Sequence, residues 1–169
     1  MKRLILLVLL IFLFSSPASA ALKLNEPAPL FSLQEVNEKD FTLGDVVGAG
    51  STKKGNGVIV SFFASWCPPC RQELPIMNSL VNEFRGKGIT VVLINVKESL
   101  DTVKVLLKEL QVDQPVVLRD ADGKTGEKYE IRFLPTTFFI GADGKLRDVI
   151  YGGIENASQL QAGAEKLLK

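Results

Sequence analysis

The stretch "SFFASWCPPCRQELP", Ser61–Pro75, holds the only two cysteines of the chain, Cys67 and Cys70. Upstream, "VIVSFFA" (58–64) is a near-continuous β-branched and aromatic run, the pattern of a strand buried on both faces. Downstream, Leu74, Met77, Leu80, Val81 and Phe84 recur at helical spacing, which predicts a helix from Pro68 to about Phe84, kinked at Pro75. The cysteines therefore fall where a buried strand gives way to a helix. Three uses compete for them. A zinc site needs four ligands, and the chain offers two sulfurs and no histidine. A structural bridge across four residues closes almost no chain entropy and contributes little stability. A reaction centre fits best, with the metal clip and an inert pair as weaker alternatives.

The helix start supplies the chemistry. Its first turns carry unpaired N–H groups and roughly half a positive charge, which favour a thiolate at Cys67. Thiolates attack disulfides. Cys67 is expected to be exposed and nucleophilic, and Cys70, one turn later, to be buried and placed to release a captured partner. Pro68 and Pro69 remove two N–H donors from this turn, and Pro69 disfavours helical geometry at Pro68, so the helix proper is expected to begin at Pro69. A less stabilised thiolate means a more stable disulfide, hence a reductant.

The rest of the 169 residues sets the context: 46% are hydrophobic and 23% charged, a globular balance suiting one domain. The net charge of +1 gives no basic excess for nucleic acid. The absence of histidine excludes Ser-His-Asp and Cys-His catalysis. Lys2 and Arg3, the apolar run Leu4–Phe14 and the small residues Ala18-Ser19-Ala20 describe a secretory signal over 1–20, leaving a domain over 21–169. An uncleaved anchor is the alternative. Removing Lys2 and Arg3 from the 20 basic residues leaves 18 against 19 acidic ones. Export would place the cysteines where disulfides persist.

Along the domain, "APLFSLQEV" and "FTLGDV" read as a leading hairpin, and "ITVVLINV" (89–96) as a second buried strand. "SLDTVKVLLKELQ" reads as an amphipathic helix, "PVVL" (115–118) as a short strand and "GKTGEKYEI" as a short helix. "TTFFI" (136–140) and "KLRDVIYG" form a hairpin, and 155–168 closes the chain as a helix. The fold class is α/β, a mixed sheet with helices on both faces and the last two strands antiparallel. "GAGSTKKG" lacks the Lys-Ser/Thr of a phosphate loop. "DADG" and "GADG" are turns rather than calcium loops. Asn156-Ala157-Ser158, a formal sequon, reads as the start of the last helix.

With these residues in view, the segment 61–75 resembles the active site of the thioredoxin superfamily. Pro75 matches its helix proline and Pro135, in "FLPTTFFI", its cis-proline. Within the superfamily the chain resembles the exported TlpA/ResA-like branch, through "EPAPLFSL", "LPTTF" and a helix and strand inserted at about 99–118. The resemblance implies a thioredoxin fold and a thiol:disulfide oxidoreductase. Thioredoxins keep a buried Asp where this chain has Ser61. The branch instead has an acidic residue after the second core strand, here Glu98, which could pass a proton to and from Cys70; the alternative is a solvated glutamate capping the next helix.

Cys67, Cys70 and Glu98 are thus the expected catalytic residues. Trp66, Pro68, Pro69, Leu134, Pro135 and Thr136 are the expected substrate contacts, with Leu134 offering its backbone to an added strand. Arg71 reads as a solvated helix residue. Neither a metal nor another cofactor is implied; with no dinucleotide fingerprint, electrons must come from another thiol protein, which the resemblance suggests is membrane-embedded. The substrates implied are disulfides of exported proteins, apocytochrome c among them, met by a periplasmic or otherwise extracytoplasmic monomer. A disulfide oxidase or isomerase is the runner-up. A thiol peroxidase lacks its Thr-x-x-Cys, since Ala64 stands three residues before Cys67, and a copper-delivery factor lacks its histidine.

Overall fold

The computed structural model describes residues 22–169 except Lys54. The expected signal segment lies outside the described residues. The fold begins with the predicted hairpin, β1 (Ser32–Glu35) and β2 (Asp40–Thr42), followed by a 3-10 turn over Leu43–Asp45. Next come β3 (Gly57–Phe63), α1 (Pro68–Gly86), β4 (Ile89–Val96), α2 (Leu100–Glu109), β5 (Val116–Asp120) and α3 (Lys124–Lys128). The hairpin β6 (Thr136–Gly141) and β7 (Leu146–Tyr151) and the helix α4 (Ala157–Glu165) complete it.

One seven-stranded sheet runs β2-β1-β5-β4-β3-β6-β7. β3, β4 and β5 are parallel, and β6 and β7 return antiparallel, as the strand–helix alternation and the closing hairpin predict. The helix and strand expected as an insertion over 99–118 are α2 and β5, and β5 carries the leading hairpin at its outer edge. All seven residues of β3 are buried, which is why its sequence shows no alternation. Each large apolar side chain there contributes about 1.5–3 kcal/mol through burial. At its first residue, Gly57, φ is +151° and a Cβ would lie 2.3 Å from the Ile140 carbonyl oxygen, so the approach of β6 requires glycine.

The sheet separates two cores, because side chains alternate between its faces. Ile59, Phe63, Leu93 and Phe139 face α1, α2 and α4. Val60, Phe62, Ile94 and Phe138 face the opposite way and join Phe31, Phe41 and Tyr129 in an aromatic cluster. Helices therefore lie on both faces, with only the short α3 leading into the second core. α4 lies so close to β6 that a Cβ on Gly163 would stand 2.3 Å from the Phe139 ring.

Two of the differences from the expected boundaries have a clear local cause. α1 begins at Pro68, not Pro69, since prolines suit the first helical positions, where N–H groups have no helical partner. It then runs as one 19-residue helix through Pro75, whose missing N–H withholds the usual partner from the Arg71 carbonyl. α4 is shorter than 155–168 at both ends, and its start is set by Asn156, which caps it with its side chain accepting from the Gln159 N–H at 3.0 Å.

Candidate active site

Cys67 is the residue that caps α1. Its Sγ accepts the Cys70 backbone N–H at 3.3 Å, and its carbonyl accepts the Arg71 N–H at 3.2 Å, the first turn-closing bond of the helix. Pro68 and Pro69 have no N–H to add, so one backbone donor reaches the sulfur. The two cysteines are joined in a disulfide. The expectation of an exposed Cys67 is corrected here: Cys67 is 3% exposed and Cys70 fully buried. The strand-to-helix turn and the bridge to the buried Cys70 tuck the first sulfur into the rim of the core, leaving a narrow face for an incoming disulfide. Trp66, beside it, is 70% exposed.

Sequence reasoning missed Glu73. It lies one turn beyond Cys70 on the buried stripe of α1, with Leu74 and Met77, and is itself fully buried. Its carboxylate accepts the Ser61 hydroxyl at 2.9 Å and the Ile154 N–H at 3.0 Å, while Thr137 donates to Ser61 at 2.9 Å. Burial raises its pKa from 4.5 to about 7, against the smaller lowering effects of the Ile154 and Ser61 hydrogen bonds. Ser61 occupies the strand position where thioredoxins carry a buried Asp. The helix here brings a carboxyl group to that serine from the other side. The readable signal was an acidic residue inside an apolar helical stripe, three positions after a cysteine.

Glu98 is part-buried and fully engaged. It accepts the Ser65 N–H at 2.8 Å, the Ser65 hydroxyl at 2.5 Å and the Asn95 amide at 2.6 Å. None of its hydrogen bonds reaches a cysteine. Nor does it cap α2, whose cap is Ser99, accepting from the Thr102 N–H at 3.2 Å. Glu98 ties the end of β4 to the turn that precedes Cys67. Arg71, on the first turn of α1, is paired with Glu109 of α2.

The Leu134–Pro135 peptide bond is cis. β6 starts at Thr136, whose hydroxyl donates to the Phe133 carbonyl at 2.8 Å. Thr136 pairs with Phe62 near the end of β3, so the proline loop and the disulfide share one end of the sheet. Leu134 is packed against both cores, including the one that holds Cys67 and Cys70. Among the described residues no backbone hydrogen bond uses its N–H or carbonyl. From the far side, the loop after β7 closes on Pro69, whose Cβ would lie 3.1 Å from a Cβ on Gly153. Pro69, Gln72, Ile76, Ile154 and Glu155 line a cleft of about 330 Å³ there.

A disulfide at the cap of α1, a buried acid one turn further along that helix and a cis-proline at the same sheet end make up the site. The AhpC/TSA family model matches residues 24–149. The thiol-disulfide oxidoreductase ResA of Bacillus cereus is 30% identical over 146 residues, 86% of this chain and 79% of its own length. The chain belongs to the ResA-like thiol-disulfide oxidoreductases of the AhpC/TSA family. ResA of Bacillus subtilis is 38% identical over 125 residues, 74% of this chain and 65% of the relative. Among solved structures, a thioredoxin-family thiol:disulfide interchange protein of Chlorobium tepidum is 31% identical, with a TM-score of 0.72 over 89% of this chain and all of that one. The thioredoxin-like fold and the thiol:disulfide oxidoreductase class expected from the sequence both hold.

Proposed function

We propose that this oxidoreductase works as a reductant of disulfides in exported proteins. The observation that carries the direction is the single backbone donor, the Cys70 N–H, on the Cys67 sulfur. A weakly stabilised thiolate makes the protein's own disulfide the favoured state. In the reduced protein the Cys67 thiolate attacks one sulfur of the substrate disulfide. A Cys67–substrate disulfide forms, and the other substrate sulfur leaves as a thiolate and takes up a proton. Glu73, on the stripe of α1 that carries Cys70, accepts the Cys70 proton as its carboxylate; a group of pKa about 7 is suited to take and return a proton at neutral pH. The Cys70 thiolate then attacks Cys67, releasing the second substrate thiolate. Two electrons have passed to the substrate and the 67–70 disulfide is restored. A dithiol protein on the membrane recharges it by the reverse exchange.

Trp66, Pro68 and Pro69 form the platform beside the sulfur, and the free Leu134 backbone before Pro135 and Thr136 offers an edge for the substrate to pair with as a short strand. Glu98 serves as a positioning residue, holding Ser65 and thereby the turn into Cys67. The protein acts outside the cytoplasm as a monomer, after loss of the segment 1–20; among the described residues no helix is long and apolar enough to cross a membrane. Apocytochrome c is one substrate that the family resemblance suggests.

The test mixes prereduced protein with an equimolar disulfide-linked peptide pair and counts thiols after acid quench. Two peptide thiols should appear per protein oxidised, Cys70→Ser should stall with one, and Cys67→Ser should give none. Turnover by Cys67→Ser, or oxidised protein driving peptide dithiols to completion while the reduced form stays inert, would refute the reading.

A further inference from the structure

All three exposed aromatic side chains among the described residues, Trp66, Phe133 and Tyr151, belong to the sheet end that carries the disulfide. Trp66 precedes Cys67. Phe133 precedes Leu134, and Tyr151 lies directly across from Thr136 in the β6–β7 pair. Phe133 and Tyr151 are 68% and 73% exposed, and they flank a cleft of about 300 Å³ on the face of the sheet opposite α1. Its floor is Tyr129, Thr136 and Phe138, and Glu130 and Arg132 stand at its rim. This cleft is distinct from the one beside Pro69 and Gly153 and takes no part in the electron transfer described above. Large rings left in water around a concavity mark recognition surfaces, where aromatic residues dominate binding.

The proline loop joins the cleft to the disulfide. Phe133 and Thr136 line the cleft, and Leu134 between them has an unused backbone N–H and carbonyl. A peptide paired with Leu134 would run past the loop at about 3.3 Å per residue and send successive side chains to opposite faces. One face leads to the sulfurs and the other to the cleft. In strand addition the main chain supplies affinity, and pockets for alternate side chains supply specificity.

We propose that this cleft is a specificity subsite that takes an aromatic or large aliphatic side chain of the substrate polypeptide, one or three residues from the cysteine under attack, the positions that alternate to the opposite face. The proposal rests on the reading of the protein as a reductant that pairs with substrate at Leu134. Half-burial of a phenyl side chain corresponds to about a tenfold preference in rate.

The probes are eight-residue peptides, each with one cysteine in mixed disulfide with glutathione, carrying Phe or Ser at the first or third position on either side. Rates with the reduced protein are normalised, for every variant, to its rate with oxidised glutathione. At one or more positions Phe should be favoured about tenfold, and the preference should fall below about twofold in both Tyr151→Ser and Phe133→Ser. No preference above twofold at any position, or a preference that survives in either variant, overturns the subsite while leaving the reductase reading intact. Concentration-dependent dimerisation lost in Tyr151→Ser would overturn it in favour of a self-association surface. Failure of the wild-type protein to reduce even oxidised glutathione would refute the reductase reading and this proposal with it.

Discussion

Replacing Glu73 with glutamine removes a buried carboxyl group whose charge the fold disfavours while keeping its shape. The amide can accept the Ile154 N–H through its oxygen and donate to Ser61, whose hydroxyl can turn to Thr137, so the network of Glu73, Ser61, Thr137 and Ile154 stays paired. What changes is the response to pH. The carboxyl has a pKa of about 7 in the folded protein against 4.5, its ordinary value, in the unfolded chain. Between those values the folded state holds a proton that the unfolded state has lost, so stability falls as pH rises. The stabilisation by the neutral acid is complete below about pH 4.5 and gone above about pH 7, a loss on the order of 3 kcal/mol at 1.36 kcal/mol per pKa unit. Glutamine carries no such loss. Urea unfolding of both oxidised proteins at half-unit steps from pH 4.5 to 8.5 gives the difference curve, in which the other titrating groups cancel. Glu73→Gln should gain on the wild type steadily up to about pH 7 and hold its advantage beyond. A flat curve, or one in which the wild type gains with pH, would refute a buried acid with a raised pKa.

Glu98 separates positioning from proton transfer. Glu98→Gln keeps an oxygen for the Ser65 and Asn95 N–H groups and turns its amide toward the Ser65 hydroxyl, so peptide-disulfide exchange should stay within about twofold of wild type. Glu98→Ala leaves those donors unpaired and should cost about 1–3 kcal/mol in urea unfolding; equal, large losses of exchange rate in both variants would mark a proton carrier instead. Gly163→Ala drives a methyl into the Phe139 ring, 2.3 Å away, and should destabilise by about 1–3 kcal/mol, read as a lowered urea midpoint with unchanged exchange chemistry in the folded protein. A neutral result there would contradict the close packing of α4 on β6.

The parts of this fold that were readable in sequence are those where one physical requirement dominates. β3 and β4 are buried on both faces along most of their length, so apolar residues run through them without alternation. The hairpin β6–β7 is announced by "GADG", and Cys67 by its place between such a strand and a helical stripe. The site was readable in its sulfurs and its cis-proline because both lie in contiguous motifs. Glu73 was passed over because a buried acid is recognisable only through distant partners: Ser61 lies 12 positions earlier and Ile154 81 positions later. The same holds for Glu98. Its position near the cysteines was legible, but its engagement with Ser65 and Asn95 depends on how the end of β4 meets the turn after β3. The exposure of Cys67 was misjudged because local pattern shows a helix start, not how deeply its cap is drawn into the core by Cys70.

The central claim is that a Cys67 sulfur with one backbone donor makes the 67–70 disulfide the stable state and the dithiol a reductant. The equilibrium reduction potential of this couple at pH 7, measured against glutathione, tests it directly. A value of roughly −200 mV or lower is expected, and one near −120 mV, the strong-oxidant end, would contradict it.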